Sequence, residues 1–216
     1  MPVIVGLKYL YPNCVAEVGA APNVLDYSMY LLLACIAFVL AIFYLNSDTF
    51  HLKCIVAHKD GNKYCVRDSD RLQESVELLA EATDRMKQTV AHLKEKFPTD
   101  TRVVLLVKNF NPNRIVETLP TSEYTAYSED KGQKLAFCLR KYKNDMKLID
   151  LNTLVFVALH ELTHLMTSSI GHKKDFWDNF KFMLEEANEI GVYQPVNYGQ
   201  KPSEYCGMTI DNNPFF

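Results

Sequence analysis

The segment His160-Glu161-Leu162-Thr163-His164 constrains this chain more than any other stretch. Histidines four apart on a helix project from one face, one turn above the other, so their imidazoles can share one metal ion. The runs on either side, Leu154-Val155-Phe156-Val157-Ala158-Leu159 and Leu165-Met166, are apolar on nearly all sides and predict a buried helix. Two imidazoles and a carboxylate buried in that helix without partners would cost several kcal/mol or neutralise themselves. A bound cation removes that cost. Zn2+ fits the ligand type, and Glu161, beside the first histidine, stands where a general base would take a proton from a metal-activated water.

Asp150 and Asn152 are N-cap residue types just before the apolar run, and Gly171 supplies a turn, so the helix is expected to end near Ser168-Ser169. A catalytic zinc needs three protein ligands and one open position. His172, directly beyond Gly171, is the leading third ligand, because a glycine there lets the backbone double back. The rival is a glutamate on the following helix: Glu185, Glu186 or Glu189. On that helix, 175–190, the residues Phe176, Phe180, Met183, Leu184, Ala187 and Ile190 make one apolar face. Glu185 and Glu189 point away from it and Glu186 sits at its margin, which favours His172 over Glu186.

These residues resemble a known family. The histidine-glutamate motif, then Gly171-His172, then Phe176-Trp177, is similar to the WLM group of zinc peptidases. These are relatives of SprT-type proteases, with similar predicted peptidases in large DNA viruses. The group's glycine-containing hairpin and strand ending in arginine are matched by Lys131-Gly132 and by Gln133 to Arg140. The third histidine follows the second by eight residues here, against six in the group, so the connecting loop is longer. The resemblance spans roughly residues 65–208. It implies His160, His164 and His172 as zinc ligands, Glu161 as catalytic base, and a protein or peptide substrate. Cellular members act in the nucleus on protein–DNA crosslinks, which makes a DNA-repair protease one alternative. A second is a non-enzymatic membrane scaffold with a structural zinc site.

A second long-range constraint lies near the N-terminus. Residues 27–45 carry no charge, and as a helix they span about 28 Å, close to the roughly 30 Å hydrocarbon core. Tyr27, Tyr30 and Tyr44 near its ends suit an aromatic belt. The expected organisation is a short N-terminal segment (1–26), a transmembrane helix (27–45), a juxtamembrane segment (46–68) and a zinc metallopeptidase domain (69–216). Lys8 alone precedes the span, whereas Lys53, Lys59, Lys63 and Arg67 follow it. That bias predicts a single-pass protein with its C-terminal domain in the cytosol, of a host-cell or virion membrane if viral. The net charge of −3, with no basic tract, argues against a nucleic-acid partner.

Within the domain, residues 70–97 have helical periodicity, capped by Ser69 or Asp70 and stopped by Pro98. Arg102–Val107 is β-branched-rich and is expected to be a strand, with another near Ile115-Val116. Tyr124–Tyr127 and Lys134–Arg140 flank the Glu129-Asp130-Lys131-Gly132 turn as a hairpin. The tail, 191–216, shows no period. This order suits an α+β, zincin-like metallopeptidase domain with a small mixed sheet and the metal helix, preceded by one transmembrane helix. Its substrate-binding edge is expected around Lys134–Cys138. Tyr193, Tyr198 and Tyr205 are candidates for a second electrophile, and Met208 for a hydrophobic floor under the metal. The six scattered cysteines contain no CxxC pair, and in a cytosolic domain they are expected to stay reduced in the core.

Overall fold

A computed structural model describes residues 24–45, 52–143 and 145–216. The expected segment 1–26, apart from its last three backbone positions, and residues 46–51 of the expected juxtamembrane segment lie outside the described residues. Two units are separable, 1–47 and 48–216. The first contains the helix α1, Val24–Leu45, in which Tyr27–Leu45 is long and apolar enough to cross a membrane, with mean hydropathy 2.5.

The second unit is an α+β domain with a five-stranded mixed sheet and a separate two-stranded hairpin. The elements run β1 (Leu52–Val56), β2 (Lys63–Arg67), α2 (Leu72–Lys96), α3 (Thr101–Asn109), β3 (Ile115–Glu117), β4 (Ala126–Glu129), β5 (Lys134–Phe137), α4 (Leu151–Met166), α5 (Lys174–Glu189), β6 (Ser203–Tyr205) and β7 (Met208–Ile210). Sheet order is β1-β2-β3-β5-β4, with β2–β3 and β3–β5 parallel and the outer pairs antiparallel. Strands β1 and β2 fall within the stretch expected to be juxtamembrane, so the sheet begins at residue 52.

Three expectations about local structure are corrected. Arg102–Val107 lies in the helix α3, not in a strand. Asp100 caps it, its carboxylate accepting the Arg102 amide, and Val103 and Leu106, three apart, are buried on one face. Packing of that face onto α4 overrides the β preference of valine. The strand at Lys134–Phe137 is interior, hydrogen-bonded to β3 on one side and β4 on the other. The open edge beside α4 is therefore β4, not the stretch around Lys134–Cys138. Finally, the cysteines are not all reduced. Cys54 and Cys65 are directly opposed across β1–β2 and form a disulfide, and Cys138 joins Cys206, 68 residues away. Cys35 is free on α1, and Cys14 lies outside the described residues.

The core forms where α4 packs against α2, α3 and α5, with the sheet closing one side. Its centre holds Leu79, Met86, Leu135, Phe137, Leu154, Leu159, Leu162 and Met183, all essentially inaccessible. A buried ion cluster pins the sheet. Glu117 at the end of β3 accepts the Arg67 backbone amide (2.7 Å) and lies 3.4 Å and 3.3 Å from the Nε atoms of Arg67 and Arg140. Both guanidiniums satisfy further carbonyls, Arg67 at Thr118 and Lys143 and Arg140 at Asp145. Desolvated charges need that degree of compensation.

Candidate metal centre and its groove

Helix α4 starts where the Asp150 side chain accepts the Thr153 amide at 2.9 Å, and ends at Met166, two or three residues before the expected stop. The Thr163 hydroxyl bonds back to the Leu159 carbonyl, and the Thr167 hydroxyl to the Thr163 carbonyl. Asn179 on α5 donates to the Thr167 hydroxyl at 2.9 Å, and Arg102 on α3 donates to the Asn179 carbonyl oxygen at 3.0 Å. This chain fixes the point at which α4 breaks and the following loop departs. That loop turns at Gly171, whose φ of +79° is in the region that favours glycine. Trp177 Nε1 then holds the returning backbone by donating to the His172 carbonyl at 3.2 Å.

The turn brings His172 over the two histidines of α4. Its Nε2 lies 2.9 Å from Nε2 of His160 and 3.2 Å from Nε2 of His164. One ligand atom from each lies within 4.8 Å of the others. A tetrahedral zinc with bonds of about 2.0–2.1 Å holds its nitrogens about 3.4 Å apart, a few tenths of an ångström from these spacings. The donor set fits such an ion. Burial pushes His160 down to about 3 and His164 down to about 4, with neighbouring histidines adding to the effect, so both rings are neutral at pH 7 and present lone pairs.

Glu161 lines the same groove as the ligand trio and is buried. Burial pushes its carboxyl up to about 7, as suits a group that exchanges a proton near neutrality. The floor under the trio is Phe176, whose ring centroid lies 4.8, 4.4 and 4.6 Å from those of His160, His164 and His172. The sequence places Phe176 in an aromatic pair with Trp177 and on the apolar face of α5, but not under the trio. Its spacing on the apolar face of α5, four residues before Phe180, was the available signal. Met208, the expected floor, is instead half exposed on β7, with its sulfur 3.2 Å from the Thr125 hydroxyl.

The remaining candidates separate cleanly. Glu186 accepts from His92 Nε2 (2.8 Å) and Lys96 Nζ (2.9 Å), and Lys96 also reaches Glu189 at 2.6 Å. These groups clamp α2 to α5, away from the histidine trio, and the lysine ammonium already supplies their positive charge. Tyr193 and Tyr198 pack against Phe156. Of the three tyrosines, Tyr205 alone lines the groove in front of the trio. It is fully buried, its hydroxyl accepting from the Cys138 amide at 3.1 Å and donating to the Thr125 carbonyl at 3.3 Å.

The groove is about 730 Å3 in volume. One wall is β4 and the residues leading into it, the back is α4, and the far walls are the 169–172 loop and the β6–β7 hairpin. Its exposed apolar residues include Tyr124, Ile170 (86 % exposed), Trp177 and Met208. A free strand edge next to such a surface suits an extended peptide.

Comparison with known proteins places this geometry in context. "Uncharacterized protein R325" of Acanthamoeba polyphaga mimivirus is 30% identical over 184 residues, covering 82% of this chain and 92% of its own. "Uncharacterized protein 136R" of Invertebrate iridescent virus 6 is 34% identical over 75 residues, 34% of this chain and 41% of its own. Among solved structures, a Wss1 mutant from Saccharomyces cerevisiae aligns with a TM-score of 0.44 and 17% identity, over 59% of this chain and 92% of that one. The family model described as the WLM domain matches residues 69–209, from the start of the long helix α2 through the histidine trio to the C-terminal hairpin, and the chain belongs to the WLM domain family.

Proposed function

We propose that the chain is a membrane-anchored, zinc-dependent endopeptidase of zincin-like fold. The observation that carries the reading is the convergence of His160, His164 and His172 beside the buried Glu161, in a groove open along β4. The three histidines would hold the ion. Zinc, when bound there, supplies Lewis acidity and makes water acidic enough to ionise near neutrality. Glu161 accepts the proton of the attacking water and delivers it to the departing amine. Its burial excludes bulk solvent from that transfer. The edge of β4 aligns the peptide backbone, and the apolar groove walls take its side chains.

In this reading residues 27–45 are the anchor, and the catalytic domain includes β1 and β2 as well as the residues from 69 onward. Orientation is contested by two features. The lysines and arginines after the span favour a cytosolic domain, but such counts govern short loops, whereas whole domains translocate largely regardless of charge. Lys53 is also paired with Asp68, Lys59 with Glu81 and Asp84, and Arg67 with Glu117. Two disulfides favour an oxidising compartment, and we place the domain there.

A scaffold with a purely structural zinc would require a fourth protein ligand, and the histidine group among the described residues contains three. The crosslink-protease alternative predicts salt-sensitive DNA binding, against which the net charge of −3 stands. The deciding experiment is metal analysis of the full chain in detergent together with cleavage of a peptide library. Stoichiometric zinc and cleavage by the wild type, with zinc but no cleavage by Glu161→Gln, is the expected outcome. Equal cleavage by both proteins refutes the mechanism.

A further inference from the structure

The β6–β7 hairpin is too short to stand alone, with three residues in each strand. Its turn residues, Cys206 and Gly207, both have positive φ, +53° and +83°, and for Cys206 that backbone is unfavourable without external support. The support is concentrated at this end. Cys206 is cross-linked to Cys138, just beyond β5, and the Cys206 and Gly207 amides donate to the carbonyls of Arg140 (2.9 Å) and Lys141 (2.8 Å). The Tyr205 hydroxyl adds the bridge from Cys138 to Thr125, the residue that leads into β4. The hairpin in turn presents Tyr205, Met208 and Ile210 to the groove, while every histidine of the trio comes from α4 and the loop after it.

We propose that the Cys138–Cys206 disulfide and the Tyr205 hydroxyl are positioning elements that hold this hairpin at a fixed distance from β4, and that this wall sets the affinity for an extended peptide. The proposal rests on the peptidase reading of the groove. The two cross-links have different parts. Cys54 is exposed at the β1 edge of the sheet, opposite to the β4 edge, whereas Cys138 and Cys206 are sealed from solvent. The buried one is therefore a permanent brace, beyond the reach of mild reductants in the folded protein. A groove assembled before the peptide arrives does not have to order its wall upon binding, and that is where affinity is gained.

Trp177 is the chain's single tryptophan and lines the groove, so energy transfer from it to a dansyl group reports occupancy without turnover. The probe is an N-dansyl decapeptide of Ala, Leu and Phe with a lysine at each end, titrated into the full chain carrying Glu161→Gln in detergent. Adding Cys138→Ala/Cys206→Ala is expected to weaken binding about tenfold, and Tyr205→Phe about threefold, with zinc stoichiometry retained. Cys54→Ala/Cys65→Ala is expected to leave the affinity unchanged. On the chain with Glu161 intact, the brace variants should raise KM with kcat within about twofold. A dissociation constant within twofold of the parent in both brace variants overturns the proposal. Should the double cysteine variant lose cooperative melting, Tyr205→Phe decides, since it keeps both ring and cross-link. Failure of the peptidase reading shows differently, as peptide binding by the wild type with no cleavage. Absence of energy transfer on the parent chain overturns the groove as a peptide site and the proposal with it.

Discussion

Replacing Glu161 with glutamine should stabilise the metal-free protein, and by an amount that depends on pH. The wild-type carboxyl titrates near 4.5 when unfolded and is pushed up to about 7 by burial in α4. Between those values the folded protein keeps a proton that the unfolded chain has released. Stability therefore falls as pH rises from 4.5 through 7, and the loss is complete above. At about 1.4 kcal/mol per pH unit, the gap amounts to about 3 kcal/mol at pH 8 and about 1 kcal/mol at pH 5. Glutamine resembles the protonated acid in shape and carries no charge to desolvate, so the variant escapes the penalty. His160 and His164 act in the opposite sense. They are held neutral well below 6.5, so their contribution is lost as pH falls below 6.5, equally in both proteins, and it cancels from the comparison.

The assay is thermal melting of the full chain in detergent and excess chelator, wild type against Glu161→Gln, at pH 5 and pH 8. For a domain of this size each kcal/mol moves the midpoint by about 2–4 °C. The expected gain for the variant is about 6–12 °C at pH 8 and about 2–4 °C at pH 5. Zinc should narrow the difference at pH 8, because a cation beside the carboxylate favours its charged form. A gain independent of pH, or a loss at pH 8, refutes the claim that Glu161 is held in a site hostile to its own charge.

Three further outcomes are expected. His172→Ala should lower zinc occupancy in the purified protein, and Glu186→Ala should leave it intact while loosening the α2–α5 clamp by about 1–3 kcal/mol. Loss of zinc in the second variant alone would move the metal centre. Gly132→Ala should cost about 2–5 kcal/mol in denaturant unfolding, because φ is +101° and a Cβ would overlap the Asn109 carbonyl oxygen and crowd the Leu165 methyls at 3.0 Å. Gly61→Ala, with positive φ but open space, should cost about 1–2 kcal/mol, and equal losses would discredit the steric argument. Alkylation of the native membrane-bound protein should leave Cys54, Cys65, Cys138 and Cys206 unlabelled without prior reduction, and external protease should reach the domain from the side where disulfides form. Free thiols at those positions, or protection from that side, would restore the cytosolic orientation.

What was legible in the sequence is what short range encodes. The four-residue spacing of His160 and His164 needs only a helix to place both rings together, and Asp150 announces that helix by a bond made three residues away. The Asp130-Lys131-Gly132 turn likewise announces the β4–β5 hairpin, all three residues having positive φ. Where local signals conflict, tertiary packing decides. Val103, Val104 and Val107 favour a strand, yet Asp100 caps a helix there and the Val103–Leu106 face finds α4 to pack on. The cross-links were illegible for a different reason. Cys138 and Cys206 are 68 residues apart, and no pattern in either neighbourhood specifies the other. Their pairing follows only once β5 runs between β3 and β4, which delivers Cys138 to the end of the sheet where the returning tail passes. The same routing decides which strand is the edge. β5 is buried at Leu135, Ala136 and Phe137, whereas no residue of β4 is fully buried. The parallel pairing of β5 with β3, a contact across some twenty residues, leaves β4 as the open edge beside α4.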